Sequence, residues 1–386
     1  LKQGEREQYG LNVSGGTETV NYFAALEHEA TSGTLGLPRF EEDRFRRQGI
    51  QIREEWRDPN RFERFSLRSN ITLRPRQSFT IPINSYFLSS QLRQPQDGNN
   101  TNGLGSHAFG GPGTRNRTLT AGGADSLYGY RLFTPGDIFQ QLSRQDVQRW
   151  IGSISPTWSP TSWLTARGNA GLDYTTQSFD NVCLRDECPN FGQNRLGFKN
   201  TERQRNFQWT ADWSATAAFR PREWLSTRTT GGFQFVHRQD DGYSANAQQL
   251  PPGGITLTQG SVPSVSEFTT VSKTAGVFVE QNFQFRGNFD FVASVRGDQN
   301  SAFGRNFGIA YYPRAGFSYQ ISQEDWFPLK DKINQLRLRT SWGQSGIRPG
   351  TTAALQFFAA NVYRENNADV PGLIYQTLGN ANLRPE

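Results

Sequence analysis

Apolar and polar residues alternate along most of this chain with the two-residue period of an extended strand, whose successive side chains point to opposite faces. The longest run sets Phe207, Trp209, Ala211, Trp213, Ala215, Ala217 and Phe219 against Gln208, Thr210, Asp212, Ser214, Thr216 and Ala218. A second sets Leu164, Ala166, Gly168, Ala170, Leu172 and Tyr174 against Thr165, Arg167, Asn169, Gly171 and Asp173. The same rhythm runs through Tyr9 to Val13, Val20 to Leu26, Phe65 to Ile71, Phe79 to Phe87, Ala275 to Phe285, Phe289 to Val295 and Leu336 to Trp342. Helical periodicity is nearly absent. The pattern predicts about a dozen strands, joined as consecutive antiparallel hairpins.

Their length and punctuation narrow the fold. Strands of soluble proteins average about five or six residues, whereas a tilted membrane-crossing strand needs about 9–11. The apolar faces here are long and begin or end in Trp, Tyr or Phe, as an aromatic girdle at a membrane interface would. The connections alternate. Short turns fall at Gly15–Glu18, Arg74–Gln77, Pro156–Pro160, Arg220–Arg222 and Arg286–Asn288. Long segments run over 33–60, 94–146, 177–204 and 239–267, with a moderate one over 297–305. The connection from Gln323 to Leu336 reads as a short helical turn with Glu324 and Asp325 early and Lys330 and Lys332 late. A sheet trimmed at one end and elaborated at the other has the asymmetry of an outer-membrane barrel, with short periplasmic turns and long extracellular loops. The expected fold is therefore all-β, an antiparallel up-and-down transmembrane β-barrel. A soluble β-sandwich or propeller fits the alternation but not the strand length.

Composition agrees. Only 34% of residues are hydrophobic, yet the chain has 29 Phe, 12 Tyr and 9 Trp, and its mean hydropathy is −0.69. Low bulk hydrophobicity with many aromatics suits a barrel, in which only every second strand residue meets lipid. No stretch approaches the roughly 20 apolar residues of a transmembrane helix. The chain contains no Met and opens on Leu1-Lys2-Gln3-Gly4 without a signal peptide, so a processed or truncated product is expected. The net charge of +6 reads as a mixed, solvated surface, and no nucleic-acid-reading motif accompanies it. Arg far outnumbers Lys, as suits guanidiniums lining a lumen or pairing with acidic lipid heads. Cys183 and Cys188 lack nearby histidines for a zinc site and are expected to form a loop-tip disulfide in an oxidising compartment.

No catalytic motif emerges: the phosphate-binding loop, the paired-histidine zinc helix and the serine elbow are all missing. Glu27-His28-Glu29 places its imidazole and carboxylates on opposite strand faces. Glu41-Glu42-Asp43 and Asp240-Asp241 read as solvated loop acids. Arg296-Gly297-Asp298 reads as a turn at a strand end, and Asp298, Asn300 and Ser301 lack the full calcium-loop signature. Neither an enzyme, a cofactor nor a metal site is expected. The loops carry aromatics among glycines, in Gly103–Gly113 and in Leu127-Tyr128-Gly129-Tyr130. Amphipathic rings on such loops suit stacking on a sugar or peptide, so Trp56, Phe109, Tyr128 and Tyr130 are the candidate substrate contacts. Phe207, Trp209, Trp213, Phe219, Leu164, Leu172 and Tyr174 are the expected lipid-facing residues.

Several stretches resemble the SusC/RagA-like family of TonB-linked outer-membrane proteins. Leu11-Asn12-Val13-Ser14-Gly15-Gly16-Thr17-Glu18 is similar to that family's first hairpin after its plug. Val295-Arg296-Gly297-Asp298-Gln299-Asn300-Ser301-Ala302-Phe303-Gly304, followed by Tyr311-Tyr312-Pro313-Arg314-Ala315-Gly316, resembles its strand-loop-strand pattern. Ile321-Ser322-Gln323-Glu324-Asp325-Trp326, then Leu336–Gly343 and Leu378–Glu386, resemble successive later segments, so the likeness covers nearly the whole chain. The resemblance implies a 22-stranded barrel around an N-terminal plug, import of oligosaccharides or peptides energised by TonB, and a SusD-like surface lipoprotein as cap. Residues 1–386 would then be about a dozen strands of one barrel domain, with the plug, the TonB-contacting N-terminal part and the last strands absent. Expected partners are that lipoprotein, the TonB complex through the missing part, and outer-membrane lipid, with no nucleic acid. A passive porin-like or adhesive barrel, and a soluble carbohydrate-binding or carbohydrate-cleaving β-domain, stand as alternatives.

Overall fold

The computed structural model describes residues 1–386 except 97, 99, 112, 114–127, 305, 307 and 386, so Pro112, Leu127, Arg305 and Glu386 of the stretches above lie outside the described residues. One large antiparallel sheet follows chain order. It comprises β1 (Glu5–Gly16), β2 (Val20–Ser32), β3 (Arg61–Arg76), β4 (Phe79–Arg93), β5 (Leu142–Ile154), β7 (Leu164–Cys183), β8 (Phe198–Arg222), β9 (Leu225–Gln248), β10 (Val262–Phe285), β11 (Phe289–Asn300), β12 (Ala310–Gln320) and β13 (Arg337–Gly343), with the two-residue β6 (Thr157–Trp158) bridging β4 and β7. β14 (Phe357–Glu365) and β15 (Ala368–Thr377) form a separate hairpin. The sheet is a continuous wall whose ends, β1 and β13, do not pair with each other. None of the described helices is long and apolar enough to cross a membrane.

Register carries the alternation from strand to strand. Leu164 faces Ala217, Leu172 faces Trp209 and Tyr174 faces Phe207 across β7 and β8. Trp209 then faces His237 and Trp213 faces Phe233 across β8 and β9. Side chains directly opposite share a face, so the apolar sets merge into one continuous side. The other side carries Gln208, Asp212, Arg238 and Asp240. A slip of one residue anywhere would exchange the two sides.

The strands outrun their apolar segments. β8 has 25 residues and β9 has 24, whereas the apolar run from Phe207 to Phe219 covers about 13, or roughly 30 Å of height at a 45° tilt. About half of the long segments expected over 177–204 and 239–267 is therefore ladder: β7 continues to Cys183 and β10 begins at Val262. Both faces turn polar there while pairing persists, as at Arg203 opposite Tyr243 and Arg205 opposite Asp241. Asp240 and Asp241 accordingly belong to β9, and Arg296-Gly297-Asp298 lies inside β11 instead of a turn. The connection after β12 contains a 3-10 turn at Ile321–Gln323.

Gly232 shows how closely the wall is packed. A Cβ there would meet the Trp213 carbonyl oxygen and approach the Phe278 ring to 2.8 Å, while one at neighbouring Gly231 would find nothing nearer than 3.8 Å. Gly232→Val is expected to destabilise the folded chain by about 1–3 kcal/mol, with Gly231→Val nearly neutral, read as urea midpoints of the intact protein folded into lipid vesicles.

Candidate functional site: the inner wall and the loop cap

The polar side of the wall is an ion-pair ladder. Arg149 on β5 grips Asp173 on β7 through two nitrogens at 3.0 and 2.6 Å, the bidentate geometry that orients a guanidinium most firmly. Glu29 on β2 accepts from Arg6 at 2.7 Å and pairs with Arg64 at 2.7 Å. Arg314 pairs with Glu280 at 2.9 Å, and Arg296 binds Asp298 at 2.8 Å and Gln234 at 2.9 Å. His28 points to the opposite face from Glu27 and Glu29, as strand alternation requires. A hollow of about 350 Å³ opens on this side, lined among others by Arg167, Asn169, Asp212, Gln234 and Arg296. Such a surface offers both charges and many amide and hydroxyl groups to a polar solute. Among the described residues no group of three His, Cys, Asp or Glu side chains converges as metal ligands would.

Three long connections at one end of the wall fold together into a cap. Helices α1 (Arg39–Arg47) and α2 (Glu54–Arg57) lie between β2 and β3, and α3 (Leu104–Phe109) and α4 (Pro135–Phe139) lie between β4 and β5. Helix α4 begins with a capping box in which Thr134 and Asp137 satisfy each other's backbone donors. Phe45, Trp56, Phe133, Ile138 and Phe139 form the cap's buried core, with Leu35, Leu37, Ile52 and Leu104 packed around it. The connection between β7 and β8 joins through Arg53 and Glu187 at 2.6 Å and through the Cys188 N–H, which donates to Gln140 Oε1 at 2.8 Å. A disulfide joins Cys183, the last residue of β7, to Cys188 in that third connection.

The buried acid of the cap is Glu41, whose side chain has no solvent exposure. Its Oε1 accepts from the Gly136 N–H at 3.2 Å. Arg44 Nε lies 2.6 Å from its Oε2, a contact without hydrogen-bond alignment, while Arg44 also reaches Asp137 at 2.8 Å. Burial holds the Glu41 carboxyl above its ordinary range, against the lowering pull of Thr134, Arg44 and the Gly136 amide. Burial likewise raises Glu187 against the pull of Arg53. Burial first, and then the Glu41 charge, pushes the Tyr130 phenol up.

The aromatics expected on the surface separate. Phe109 is 93% exposed. Tyr128 stacks on Phe40 with centroids 4.3 Å apart, and Tyr130 lies 6.5 Å from the same ring. Trp56 corrects the expectation: it is 1% exposed, packed against Phe45 at 5.4 Å with the Arg53 guanidinium over its ring, and it serves the cap's core instead of its surface. Glu41 corrects another, since it is not a solvated acid. Sequence reasoning named Glu41 but missed its spacing with Phe45, four residues apart on one side of α1, and it passed over the Thr134-Pro135-Gly136-Asp137 helix start, which is a readable signal.

A family model described as "TonB dependent receptor-like, beta-barrel" matches residues 85–386, more than half of the chain. The chain belongs to the TonB-dependent receptor β-barrel family. Barrels of this family are outer-membrane proteins, and the family is one of receptors and transporters. The TonB-dependent receptor P3 of Formosa agariphila is 23% identical over 163 residues, covering 40% of this chain and 16% of that protein. The structure of the RagAB peptide importer in its open-open state superimposes with a TM-score of 0.74 at 20% identity, covering 98% of this chain and 40% of that one. A structure of the RagAB peptide transporter gives 0.70 at 18% identity, over 98% and 41%. At these identities the likeness shows the fold. This receptor barrel chain spans about two fifths of the RagAB structures it matches and a smaller share of the Formosa receptor.

The buried acids give the cap a pH dependence. Because burial raises the folded-state value of Glu41 above that of the unfolded chain, the folded cap holds its proton more tightly. Cap stability is therefore fullest below the ordinary carboxylate range and declines as pH rises through the raised value. Glu187 adds in the same direction. Amide exchange over 39–57 and 134–139, corrected for intrinsic rates, is expected to speed up as pH rises above the ordinary carboxylate range, and Glu41→Gln should flatten that rise.

Proposed function

We propose that residues 1–386 are a continuous part of the barrel wall of a TonB-dependent importer in a bacterial outer membrane. The cargo would be a polar nutrient, an oligosaccharide or a peptide, taken in without bond chemistry. The observation that carries this reading is a single register that separates an apolar side, edged by aromatic rings, from a ladder of ion pairs. On this reading Leu164, Leu172, Tyr174, Phe207, Trp209, Trp213 and Phe219 face lipid. The ladder lines the passage and the cap faces outward, presenting Phe109, Tyr128 and Tyr130 to solute. The RagAB structures are of a peptide transporter, which supports peptide as one cargo class. The family resemblance supports a SusD-like surface lipoprotein over the cap and coupling to the TonB complex through a plug-bearing part of the receptor.

The lipid assignment is tested by charge placement. Ala211→Arg puts a cation on the apolar side and is expected to cost about 2–4 kcal/mol of stability in lipid vesicles. Thr210→Arg, one residue away on the polar side, should cost well under half as much. Equal costs would mean that Ala211 does not face hydrocarbon. For transport, cells carrying the intact receptor are expected to accumulate fluorescently labelled oligopeptides or oligosaccharides only while TonB is present. Accumulation unchanged by loss of TonB would point to a passive pore, and recovery of the protein in the soluble fraction would remove the barrel reading altogether.

A further inference from the structure

Near the short-turn end, the ladder is interrupted where β5 gives way to β6. β5 stops at Ile154, Ser155 and Pro156 leave the sheet, and β6 rejoins it for two residues between Phe79 on β4 and Ala166 on β7. The outer surface dips there into a notch of about 390 Å³, within the size range of small-molecule sites. Phe79, Trp158, Ala166, Gly168 and Trp213 line it, with Arg76 at its rim. Its floor is low because Ala166 and Gly168 leave it unfilled, and the Trp213 ring lies 3.1 Å from where a Gly168 Cβ would stand. Trp158 and Trp213 keep 50% and 48% of their surface exposed.

We propose that this notch seats one acyl chain of a glycerophospholipid, with the lipid phosphate held by the Arg76 guanidinium. Three observations select that occupant. The walls are aromatic and aliphatic, so water is a poor filler. The backbone donors around the break are already used: Gly168 N–H donates to the Pro156 carbonyl at 2.9 Å, Ser155 N–H to Pro82 at 2.9 Å and Ser159 N–H to Ser78 at 2.8 Å. That leaves no strand edge for a peptide. Arg76 ends β3 at the hairpin turn, its backbone paired with Phe79, and its guanidinium has no hydrogen-bond or ion-pair partner among the described residues, so an anion at headgroup depth completes it. A second aromatic groove at the same end, around Trp224, Phe285, Phe289 and Phe317, contains Arg286 but also the Glu324 carboxylate, which disfavours a phosphate. The inference rests on the membrane reading, which places the short turns at the periplasmic leaflet where phospholipid lies.

The test is native mass spectrometry of the intact receptor, delipidated in detergent and titrated with dioleoyl phosphatidylglycerol. Wild type is expected to retain one lipid through gas-phase activation, and Arg76→Glu and Gly168→Leu each to lower the retained fraction at least fivefold. Arg286→Glu should leave it unchanged, and inorganic phosphate alone should give no adduct. Retention by both Arg76→Glu and Gly168→Leu, or equal loss in Arg286→Glu, would overturn the proposal. Heat-modifiable migration of every variant is recorded in parallel. Its loss in wild type would count against the barrel reading itself, and its loss in Gly168→Leu alone leaves Arg76→Glu to decide.

Discussion

Backbone hydrogen bonding is the constraint on which this molecule depends. A chain placed in hydrocarbon has no water to satisfy its N–H and C=O groups, so strands that cross it must pair along their length with their neighbours. Once pairing is compulsory, register becomes a property of the whole wall. The correspondence that puts Tyr174 beside Phe207 also puts Trp209 beside His237 and Val277 beside Phe233. Apolar and polar sides then follow from sequence parity alone, and each hairpin turn has only to preserve that parity.

The same rule explains where charge is found. On the polar side, carboxylates and guanidiniums sit on adjacent strands at side-chain reach, so pairs such as Arg149 with Asp173 form across the ladder. On the apolar side, the ion pairs among the described residues lie where the strands have risen past the aromatic rows, as in Arg205 with Asp241 and Arg203 with Asp180. At β6 the ladder breaks, and its lost pairing is made good by hydrogen bonds from Ser155, Ser159 and Gly168.

Much of this was legible in sequence. The hairpin rhythm, the short turns and the parity of strands such as β7, β8 and β10 could be read directly, because a buried or lipid-covered face leaves a period-2 signature, whereas no run was read for β5, β9 or β12. The upper halves of β7 to β10 could not, because polar residues on both faces erase that signature while backbone pairing continues; residues 198–206 are an example. The cap was less legible still. Its helices are short and its core is gathered from separate connections, so Trp56 offers no local sign that Phe45 and Ile138 will surround it. Glu41 looked like one more acid in an acidic triplet. What distinguishes it is the arrival of Gly136 and Asp137 from almost a hundred residues away.

That gathered core bears on how the outer surface of such a protein changes over generations. Three connections are tied to one another by Glu41 with Gly136, Arg53 with Glu187 and Gln140 with Cys188. None of the three can be lengthened, shortened or recoloured in isolation without unseating a residue in another. Diversification at this end of the wall is therefore expected to travel as a cassette, the three connections replaced together, while an exposed ring such as Phe109 remains free to vary on its own.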